Sequence, residues 1–570
     1  MTHTPQAIVE PPLVLENVEG VDWTASADVV VVGQGGAGLC AALEARARGS
    51  SVLAIDRFGG GGSTAFSGGI FYAGGTRWQK EAGISDSKEE MHKYLQLELK
   101  DAIKPETLKR YCYGADKDLE WLAEHGVPFR GDAYLEKIAY PPEDKFLYYS
   151  GNENVTGYKE KARPAPRGHR VAAKGFSGYA YYAAISAAAD RAGVQRMMHA
   201  RVMRLVTDSG GQVIGVEVMR IENADRQAEH ARQAGRVVPL KPFNADAAQK
   251  AIAEARRIEA RYGVRRLVRA RGGVILATGG FNYDLEYMNK HLPIYGRNYR
   301  SLIRMGSIGC DGSGMRLGES VGGTVAYMDN LYSARVLSPP KELLNGVLVN
   351  TAGDRFVNEE IYTGYLGRAI GRQVEGQAWL ILERQSLRKA IIQCFQAGWT
   401  ARLFTGPILL NILFGKTKGA STLSGLARKC GISSSGLSKA VEDHNRAIAD
   451  GAPDPWGKKT RHPIERGPFR ALDLSIKGKF GFTMVITLGG LRVNEETGNV
   501  VRHDGSVIEG LYAAGRVAVG LCAVGYFSGM SLSDGVFSGR RAGKAASARG
   551  RAPQPSNRAC DPRSATTGAA

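Results

Sequence analysis

A strand, a glycine-rich turn and a helix follow one another near the start of this chain. Residues 28–32 (DVVVV) are rich in β-branched side chains, which is typical of a strand buried on both faces of a parallel sheet. Residues 33–38 (GQGGAG) have the spacing G-x-G-x-x-G, and residues 39–48 (LCAALEARAR) predict a helix. A second short strand, 51–55, ends at Asp56. The segment therefore predicts a complete βαβ unit.

This turn is the first functional signal in the chain. Gly33 allows a tight turn, Gly35 allows a pyrophosphate to approach the backbone, and Gly38 allows the helix to pack close to the strand. The N-terminus of the helix offers free N–H groups and a positive dipole end to phosphates, and Asp56 is placed to accept hydrogen bonds from ribose hydroxyls. The pattern predicts a bound dinucleotide, but it does not distinguish FAD from NAD.

The charge and the cysteines restrict the partners and the compartment. The chain of 570 residues carries a formal net charge of +19, which could attract nucleic acid, anionic lipid or acidic substrates. No nucleic-acid recognition motif accompanies this charge, so we expect no nucleic-acid partner. The 7 cysteines are scattered without a C-x-x-C pair, and no other metal-ligand spacing is visible. We therefore expect no metal site and a reducing, cytoplasmic compartment.

Several further segments resemble one superfamily. Over most of residues 26–550, and in the same order, the chain is similar to the FAD-dependent fumarate reductases, succinate dehydrogenases and 3-ketosteroid dehydrogenases. The segments that carry this resemblance are 59–76 (GGGGSTAFSGGIFYAGGT), 274–281 (VILATGGF), 346–360 (GVLVNTAGDRFVNEE), 510–516 (GLYAAGR) and 531–535 (SLSDG).

The resemblance implies the fold and the domain organisation. We expect an α/β protein in which a Rossmann-like FAD-binding domain carries an inserted α+β capping (catalytic) domain that closes over the isoalloxazine ring. The expected boundaries are 26–285 and 491–548 for the two parts of the FAD-binding domain and 286–490 for the capping domain. Residues 220–263, rich in Arg, Ala, Gln and Glu, predict a charged helical insertion on the surface without a chemical role. Residues 549–570 predict a disordered tail.

The same resemblance implies the cofactor contacts. The residues that match the family's FAD-binding segments are Gly33, Gly35, Ala37, Gly38, Asp56, Arg57, Ser63, Thr64, Gly68, Gly69, Ala277, Thr278, Gly279, Arg516, Ser531 and Leu532. Some members of the superfamily attach the flavin covalently through a histidine that follows the second strand. No histidine occurs between residues 59 and 75, so we expect non-covalent FAD.

The polarity of the later motifs separates the branches of this superfamily. Fumarate reductases and succinate dehydrogenases bind two carboxylates and use arginine and histidine to do so. At the equivalent place, residues 518–534 (AVGLCAVGYFSGMSLSD) contain no Arg, Lys or His, and residues 487–491 (TLGGL) have leucine where histidine or methionine is usual. Arg368 is the arginine nearest to the position of the expected proton donor. These departures favour a neutral, hydrophobic ketone as the substrate.

A closer resemblance is to the bacterial 3-ketosteroid Δ4-(5α)-dehydrogenases. It rests on residues 147–154 (LYYSGNEN), 165–169 (APRGH), 482–491 (FTMVITLGGL) and 525–535 (GYFSGMSLSDG). The related Δ1-dehydrogenases usually have a proline-containing turn after a similar tyrosine, and Tyr526-Phe527-Ser528 lacks that proline. The resemblance implies a hydrophobic, ketosteroid-like substrate and favours desaturation at C4–C5. A Δ1-dehydrogenase and a fumarate reductase-like flavoprotein reductase are the alternatives.

The implied catalytic group is Tyr526, Ser528 and, from the capping domain, Tyr362. Tyr526, helped by a backbone N–H near Met530, would polarise the C3 carbonyl. Ser528 or Tyr362 would relay the C4 proton, and C5 would pass a hydride to flavin N5. Neither tyrosine nor serine is a strong base near neutral pH, so an acidified α-proton and a hydrogen-bonded relay would have to compensate. No feature of the sequence identifies the electron acceptor.

One segment concentrates positive charge beside apolar side chains. Residues 384–430 contain eight basic residues and no acidic one, and residues 403–415 (LFTGPILLNILFG) carry no charge. This apolar stretch is too short to span a bilayer but suits a position in the membrane interface, flanked by cations that meet anionic headgroups. A peripheral contact with the inner membrane surface and a buried core helix or hinge are both compatible with the pattern.

Overall fold

The computed structural model describes residues 9–236, 245–478, 480 and 482–551. Its strands are β1 (Leu13–Leu15), β2 (Ala25–Val32), β3 (Val52–Ile55), β4 (Ile70–Tyr72), β5 (Ala133–Tyr134), β6 (Leu147–Tyr148), β7 (Gly168–Arg170), β8 (Gln195–Met197), β9 (Ala200–Asp208), β10 (Val213–Ile221), β11 (Gly263–Leu276), β12 (Leu302–Arg304), β13 (Val325–Ala326), β14 (Leu331–Ala334), β15 (Val347–Val349), β16 (Trp379–Glu383), β17 (Lys418–Ala420), β18 (Phe469–Asp473), β19 (Thr483–Thr487), β20 (Gly490–Leu491), β21 (Asn499–Val501) and β22 (Val507–Ala513). Its helices are α1 (Gly36–Ala47), α2 (Arg77–Glu81), α3 (Lys88–Leu99), α4 (Pro105–Glu124), α5 (Gly178–Arg191), α6 (Ala224–Arg236), α7 (Ala245–Tyr262), α8 (Leu285–His291), α9 (Pro293–Arg297), α10 (Ser313–Ser320), α11 (Thr363–Gly371), α12 (Arg384–Gln396), α13 (Trp399–Phe414), α14 (Leu423–Cys430), α15 (Ser434–Ala449) and α16 (Met530–Arg551).

The predicted βαβ unit forms the centre of a nine-stranded sheet. The order of this sheet is β1-β9-β10-β11-β2-β3-β8, with β22 paired to β11 and β21 paired to β22. Strands β22, β11, β2, β3 and β8 run parallel to one another where they pair, and Val29–Val31 in β2 are fully buried, as a valine run in a parallel sheet should be. The prediction of an α/β protein with a Rossmann-like fold is confirmed.

Helix α16, near the end of the chain, packs against α1, the helix that follows β2. Its small residues Gly539 and Gly543 lie directly against the backbone of α1, where an added Cβ would come within 2.4 Å of the Ala37 carbonyl oxygen and within 2.3 Å of that of Ala41. Only glycine permits this separation, so the N-terminal ends of the two helices are brought to the same edge of the sheet. That edge carries the site described below.

Smaller sheets are formed by strands that follow α7 in the chain and precede β21 and β22, the last strands of the main sheet. Strands β15, β16, β18 and β17 form a four-stranded sheet, and β12, β19 and β14 form a three-stranded one. Helices α11 to α15 belong to the same part of the chain. This region falls within residues 286–490, and the exact division into domains stays a prediction of the sequence.

The charged insertion is helical but is not confined to the surface. Helices α6 and α7 occupy most of residues 220–263, while the first and last residues of that range belong to β10 and β11. His230 and Glu259 are buried, and Glu259 bonds to Arg57 at the end of β3. The composition of the insertion, dominated by charged side chains, gave no sign of this contact.

The C-terminal prediction needs a small correction. Helix α16 continues to Arg551, so residues 549–551 are helical rather than part of a disordered tail. Residues 552–570 lie outside the described residues. Among the helices that the structure describes, none is both long enough and apolar enough to cross a membrane.

Candidate active site

A cavity of about 480 Å³ opens where α1 and α16 begin, at the carboxyl ends of the central parallel strands. Most of the residues predicted from the sequence line it. They are Gly33, Gly35, Ala37, Asp56, Arg57, Ser63, Thr64, Gly68, Gly69, Ala277, Thr278, Gly279, Arg516, Ser531 and Leu532 from the cofactor set, and Tyr362, Tyr526 and Ser528 from the catalytic set. Gly38 stands behind the lining, where an added Cβ would lie 1.9 Å from the Gly33 carbonyl oxygen.

The glycine turn forms a cradle of backbone groups. Gly33 has φ of 102°, and a Cβ there would lie 2.5 Å from the Ala277 carbonyl oxygen, so no larger residue fits. The N-cap of α1, Gly35, has no side chain to cap the helix, while the Thr64 hydroxyl accepts the Gly36 N–H at 2.9 Å. The positive end of α1 therefore faces the cavity, as a phosphate site requires.

Asp56 is held firmly at the end of β3. Its carboxylate accepts the backbone N–H groups of Gln34 at 2.9 Å, Phe58 at 2.8 Å and Gly60 at 3.3 Å. These bonds tie the carboxylate to the glycine turn and fix its direction while it lines the cavity. An oriented carboxylate at this position fits the hydroxyl groups of a ribose.

Arg57 has a different environment from the one expected. Its guanidinium bonds to Glu259 through Nε at 2.6 Å and Nη2 at 2.9 Å, and to Asp311 through Nη1 at 2.7 Å. Burial alone would raise the pKa of Glu259, but the Arg57 charge and the hydrogen bond from His230 outweigh it and hold that pKa well below its usual range. Arg57 therefore fastens the helical insertion to the cavity wall, and its charge is neutralised by protein.

Arg516 offers an unpartnered donor to the cavity. Its Nη2 donates to the Ser63 hydroxyl at 2.7 Å, while its Nη1 is buried without a hydrogen-bond partner in the structure. A buried guanidinium N–H without an acceptor is costly unless a ligand supplies one. The cradle at Gly33, the oriented Asp56 carboxylate and the free Arg516 donor together fit an extended dinucleotide.

The predicted catalytic residues meet at the other end of the cavity. The hydroxyls of Tyr362 and Ser528 lie 2.9 Å apart. Tyr526 and Ser528 precede α16, and the intervening Phe527 is buried with its ring edge-on to Tyr72 at 4.7 Å, which fixes the turn. The ring of Tyr526 lies 4.8 Å from that of Tyr332. Three hydroxyl-bearing side chains from two parts of the chain thus share one wall.

Tyr362 is positioned through its own backbone. It is the N-cap residue of α11, and its N–H donates to the Asn152 side-chain oxygen at 2.7 Å. Asn152 is in turn fixed by Tyr94, whose hydroxyl accepts the Asn152 N–H at 2.8 Å, and by Glu98, which accepts from its side-chain amide at 3.0 Å. These groups are all buried, so the tyrosine hydroxyl is held in place by a network outside the cavity.

The protonation state of the tyrosines follows from their burial. Desolvation raises the pKa of Tyr362 and of Tyr526 above the usual range for tyrosine, so both are neutral phenols near pH 7. A backbone N–H near Met530 was expected to help Tyr526; of these groups, that of Met530 itself donates to the Phe527 carbonyl oxygen at 3.2 Å. The neutral hydroxyls of both tyrosines can act as hydrogen-bond donors at this wall.

The cavity is poor in the groups that bind dicarboxylates. Among the described residues that line it there is no histidine and no lysine, and its arginines are Arg57, Arg201 and Arg516. Arg368 is not among the lining residues, and its guanidinium donates to the Val524 carbonyl oxygen at 2.7 Å. Its apolar lining residues include Ile486, which pairs with Tyr332 between β19 and β14, and Val336, Phe404 and Met484.

Sequence reasoning missed several residues of this site. Tyr332 lies in the short strand β14, whose sequence LYSA carries no motif. Phe404 belongs to the segment predicted for the membrane interface, and Glu259 to the insertion for which no chemical role was expected. Asn152 does lie in the quoted stretch 147–154, but its contact with Tyr362 joins distant parts of the chain.

Comparison with known proteins agrees with this geometry. A family model described as an FAD binding domain matches residues 28–532. The chain belongs to this family. It is 35% identical over 510 residues to the 3-oxo-5-alpha-steroid 4-dehydrogenase of Comamonas testosteroni, a match that covers 88% of this chain and 94% of that protein. The chain is thus a flavoprotein oxidoreductase, and its cofactor is FAD.

Two further relatives place the chain within the family. The crystal structure of 3-ketosteroid-Δ4-(5α)-dehydrogenase from Rhodococcus jostii RHA1, in complex with 4-androstene-3,17-dione, has a TM-score of 0.75 and 34% identity and covers 94% of this chain and 100% of that one. The 3-oxosteroid 1-dehydrogenase of Mycolicibacterium smegmatis is 27% identical, over 86% of this chain and 92% of that protein. The predicted resemblance to the FAD-dependent 3-ketosteroid dehydrogenases is confirmed.

The free donor of Arg516 leads to a prediction for FAD binding. The Arg516→Gln variant loses the charged hydrogen bond that Arg516 would donate to FAD. Such a bond is worth about 1.5–3 kcal/mol, so the affinity for FAD should fall roughly 10- to 150-fold. Titration of the FAD-free protein with FAD, followed by quenching of flavin fluorescence, measures the change. The exposed Arg300 provides the control, and Arg300→Gln should bind FAD like the unmodified protein. Equal affinity for Arg516→Gln would contradict the assignment.

Proposed function

We propose that the protein is an FAD-dependent dehydrogenase that introduces a C4–C5 double bond into 3-ketosteroids. The observation that carries this proposal is the wall formed by Tyr526, Ser528 and Tyr362 beside an apolar cavity without histidine or lysine among its described lining residues. A neutral ketone suits this wall, whereas a dicarboxylate would leave two charges without partners. The 35% identity to a protein named 3-oxo-5-alpha-steroid 4-dehydrogenase supports the same position of attack.

Tyr526 acts on the ketone. Because burial raises the pKa of its phenol, the hydroxyl keeps its proton and donates it as a hydrogen bond to the C3 oxygen. This bond stabilises the negative charge that develops on that oxygen as the C4 proton leaves. The ring is held against Tyr332, and the turn is fixed by buried Phe527, so the donor is oriented before substrate binds.

The Tyr362–Ser528 pair receives the proton from C4. Its two hydroxyls are already hydrogen-bonded at 2.9 Å, so as one of them takes the C4 proton the other releases its own proton to water, and the pair ends the step neutral. The raised pKa of Tyr362 disfavours a free phenolate, which makes a concerted relay the fitting role for the pair. FAD, when bound, supplies the acceptor for the hydride that leaves C5.

Removal of these hydroxyls tests the assignment. In Tyr526→Phe the loss of an oxyanion donor should lower kcat about 10²- to 10³-fold, and Ser528→Ala and Tyr362→Phe should each lower it at least about 10²-fold. The assay is turnover of a 5α-3-ketosteroid by the FAD-loaded enzyme with an artificial electron acceptor.

A buried tyrosine outside the cavity provides the matched control. The hydroxyl of Tyr299 is buried without a hydrogen-bond partner, so Tyr299→Phe should keep both the fold and kcat. FAD content of each variant shows whether the cofactor site is intact. Turnover near that of the unmodified enzyme in both Tyr526→Phe and Ser528→Ala would overturn the catalytic roles.

We also propose that the enzyme contacts the inner surface of a membrane from the cytoplasm. Helices α12 and α13 expose the large apolar side chains Ile392, Phe395, Leu413 and Phe414, of which Phe395 and Phe414 are 66% and 63% exposed. The basic residues of segment 384–430 flank these side chains in sequence. Apolar groups beside cations suit the interface of an anionic bilayer. Helix α13, which carries Leu413 and Phe414, also contributes Phe404 to the lining of the cavity.

Vesicle binding tests this contact. The variant Phe395→Ser/Phe414→Ser should pellet at least several-fold less with vesicles that contain anionic lipid than the unmodified protein does. Val14, 58% exposed on β1 at the edge of the main sheet, supplies the control, and Val14→Ser should leave pelleting unchanged. If the double variant pellets as fully as the unmodified protein, the membrane contact is wrong.

A further inference from the structure

A second cavity lies behind the apolar end of the first. It has a volume of about 310 Å³ and is enclosed mainly by α13, by Leu472 and Leu474 at the end of β18, and by the segment after β14. Val336, Phe404 and Met484 line both cavities, so the two cavities share this part of their walls. Methionine and phenylalanine can change rotamer without loss of backbone contacts, which allows one ligand to occupy both spaces.

The wall of the second cavity contains a buried arginine with free donors. Arg335 is 3% exposed, and its Nε and Nη1 have no hydrogen-bond partner, while its Nη2 donates to the Ser475 carbonyl oxygen. Burial lowers the pKa of Arg335 to about 10, so the guanidinium remains charged near neutral pH. A buried charge with unused donors is unfavourable in an otherwise apolar space unless a ligand supplies the acceptor.

The neighbouring polar groups do not satisfy this arginine. Asp473 is near enough to raise the pKa of Arg335, but its carboxylate accepts the Ser475 N–H at 2.9 Å and does not pair with the guanidinium. Tyr295 also acts on Arg335, and its hydroxyl is buried without a hydrogen-bond partner in the described structure. The side-chain amide of Asn411, on α13, is engaged by the Asp473 carbonyl oxygen at 3.0 Å.

These features describe a ligand that is apolar along its length and anionic at its end. A carboxylate on an aliphatic chain has this character, because the chain fits the apolar walls and the carboxylate accepts from a guanidinium with charge-assisted bonds. C3 and C17 lie at opposite ends of the rigid steroid skeleton. A steroid whose C3 oxygen meets Tyr526 therefore directs its C17 substituent away from the hydroxyl wall.

We infer that the second cavity receives the C17 side chain of the substrate and that Arg335 binds a carboxylate at its end. This inference rests on the proposed function and adds a substrate class to it: 3-oxo steroid acids. The same chemistry is shared by a free fatty acid, which could occupy the second cavity without entering the first. Arg335 is thus a specificity-determining residue that takes no part in the reaction at C4 and C5.

The test compares an acid with its own ester. Steady-state turnover is measured for a 3-oxo-5α steroid with a C17 side chain ending in a carboxylate, for its methyl ester, and for a 17-ketone that lacks the side chain. The unmodified holoenzyme should favour the acid over the ester at least about 10-fold in KM. In Arg335→Met this preference should disappear, and Arg335→Lys should retain part of it. Equal KM values for acid and ester in the unmodified enzyme would overturn the inference.

Controls separate this inference from the proposed function. Turnover of the 17-ketone should be the same in all variants, and Arg402→Met, which removes an exposed arginine that also lines the second cavity, should keep the acid preference. Loss of the preference in Arg402→Met but not in Arg335→Met would overturn the role of Arg335. If no steroid is turned over, the proposed function is wrong. The affinities of the acid and the ester, measured by calorimetry, still test whether Arg335 binds the carboxylate.

A competition experiment tests whether the second cavity binds a free fatty acid rather than the side chain of the steroid. A long-chain fatty acid should compete with the steroid acid but not with the 17-ketone, because only the acid occupies the second cavity. Competition against both steroids, together with equal binding of acid and ester, would assign the cavity to a separate lipid and contradict the inference.

Discussion

The close packing of α1 against α16 is the constraint on which the site depends. Gly539 and Gly543 let the backbones of the two helices touch, and Gly38 lets α1 lie directly on the turn that follows β2. The N-terminus of α1 faces the cofactor cradle, and the residues before α16 carry Tyr526 and Ser528. One helix pair therefore fixes the distance between the glycine turn and the proposed catalytic hydroxyls of Tyr526 and Ser528, although these segments lie near opposite ends of the sequence.

The capping part of the chain completes this arrangement and sets its polarity. It contributes Tyr362, held through Asn152 by a buried hydrogen-bond network, and the apolar side chains that face the tyrosines. The charged groups near the cavity are mostly paired with protein: Arg57 with Glu259 and Asp311, and Arg368 with a backbone carbonyl. Among the described residues that line the two cavities, Arg516 Nη1 and Arg335 Nε and Nη1 are buried without a hydrogen-bond partner, and they mark two places where a ligand can supply an acceptor.

The sequence was sufficient for the parts of the structure that depend on local patterns. The valine run, the glycine spacing and Asp56 predict the βαβ unit and the cofactor cradle because each has a direct backbone cause. The family resemblance added Tyr526, Ser528 and Tyr362, and the structure brings all three to one wall. Three contacts could not be predicted, because each joins segments far apart in the chain and has no local periodicity. They are the pairing of Arg57 with Glu259, the contact of Asn152 with Tyr362 and the tilted ring contact of Tyr332 with Tyr526.

We propose that this flavoprotein oxidises a neutral 5α-3-ketosteroid at C4–C5. The most direct experiment mixes the FAD-loaded enzyme anaerobically with a 5α-3-ketosteroid, a 4-ene-3-ketosteroid or succinate in parallel and follows bleaching of the flavin absorbance. We expect bleaching by the 5α-3-ketosteroid alone. Bleaching by succinate alone would contradict this proposal and indicate a dicarboxylate enzyme, and bleaching by the 4-ene-3-ketosteroid alone would move the reaction to C1–C2.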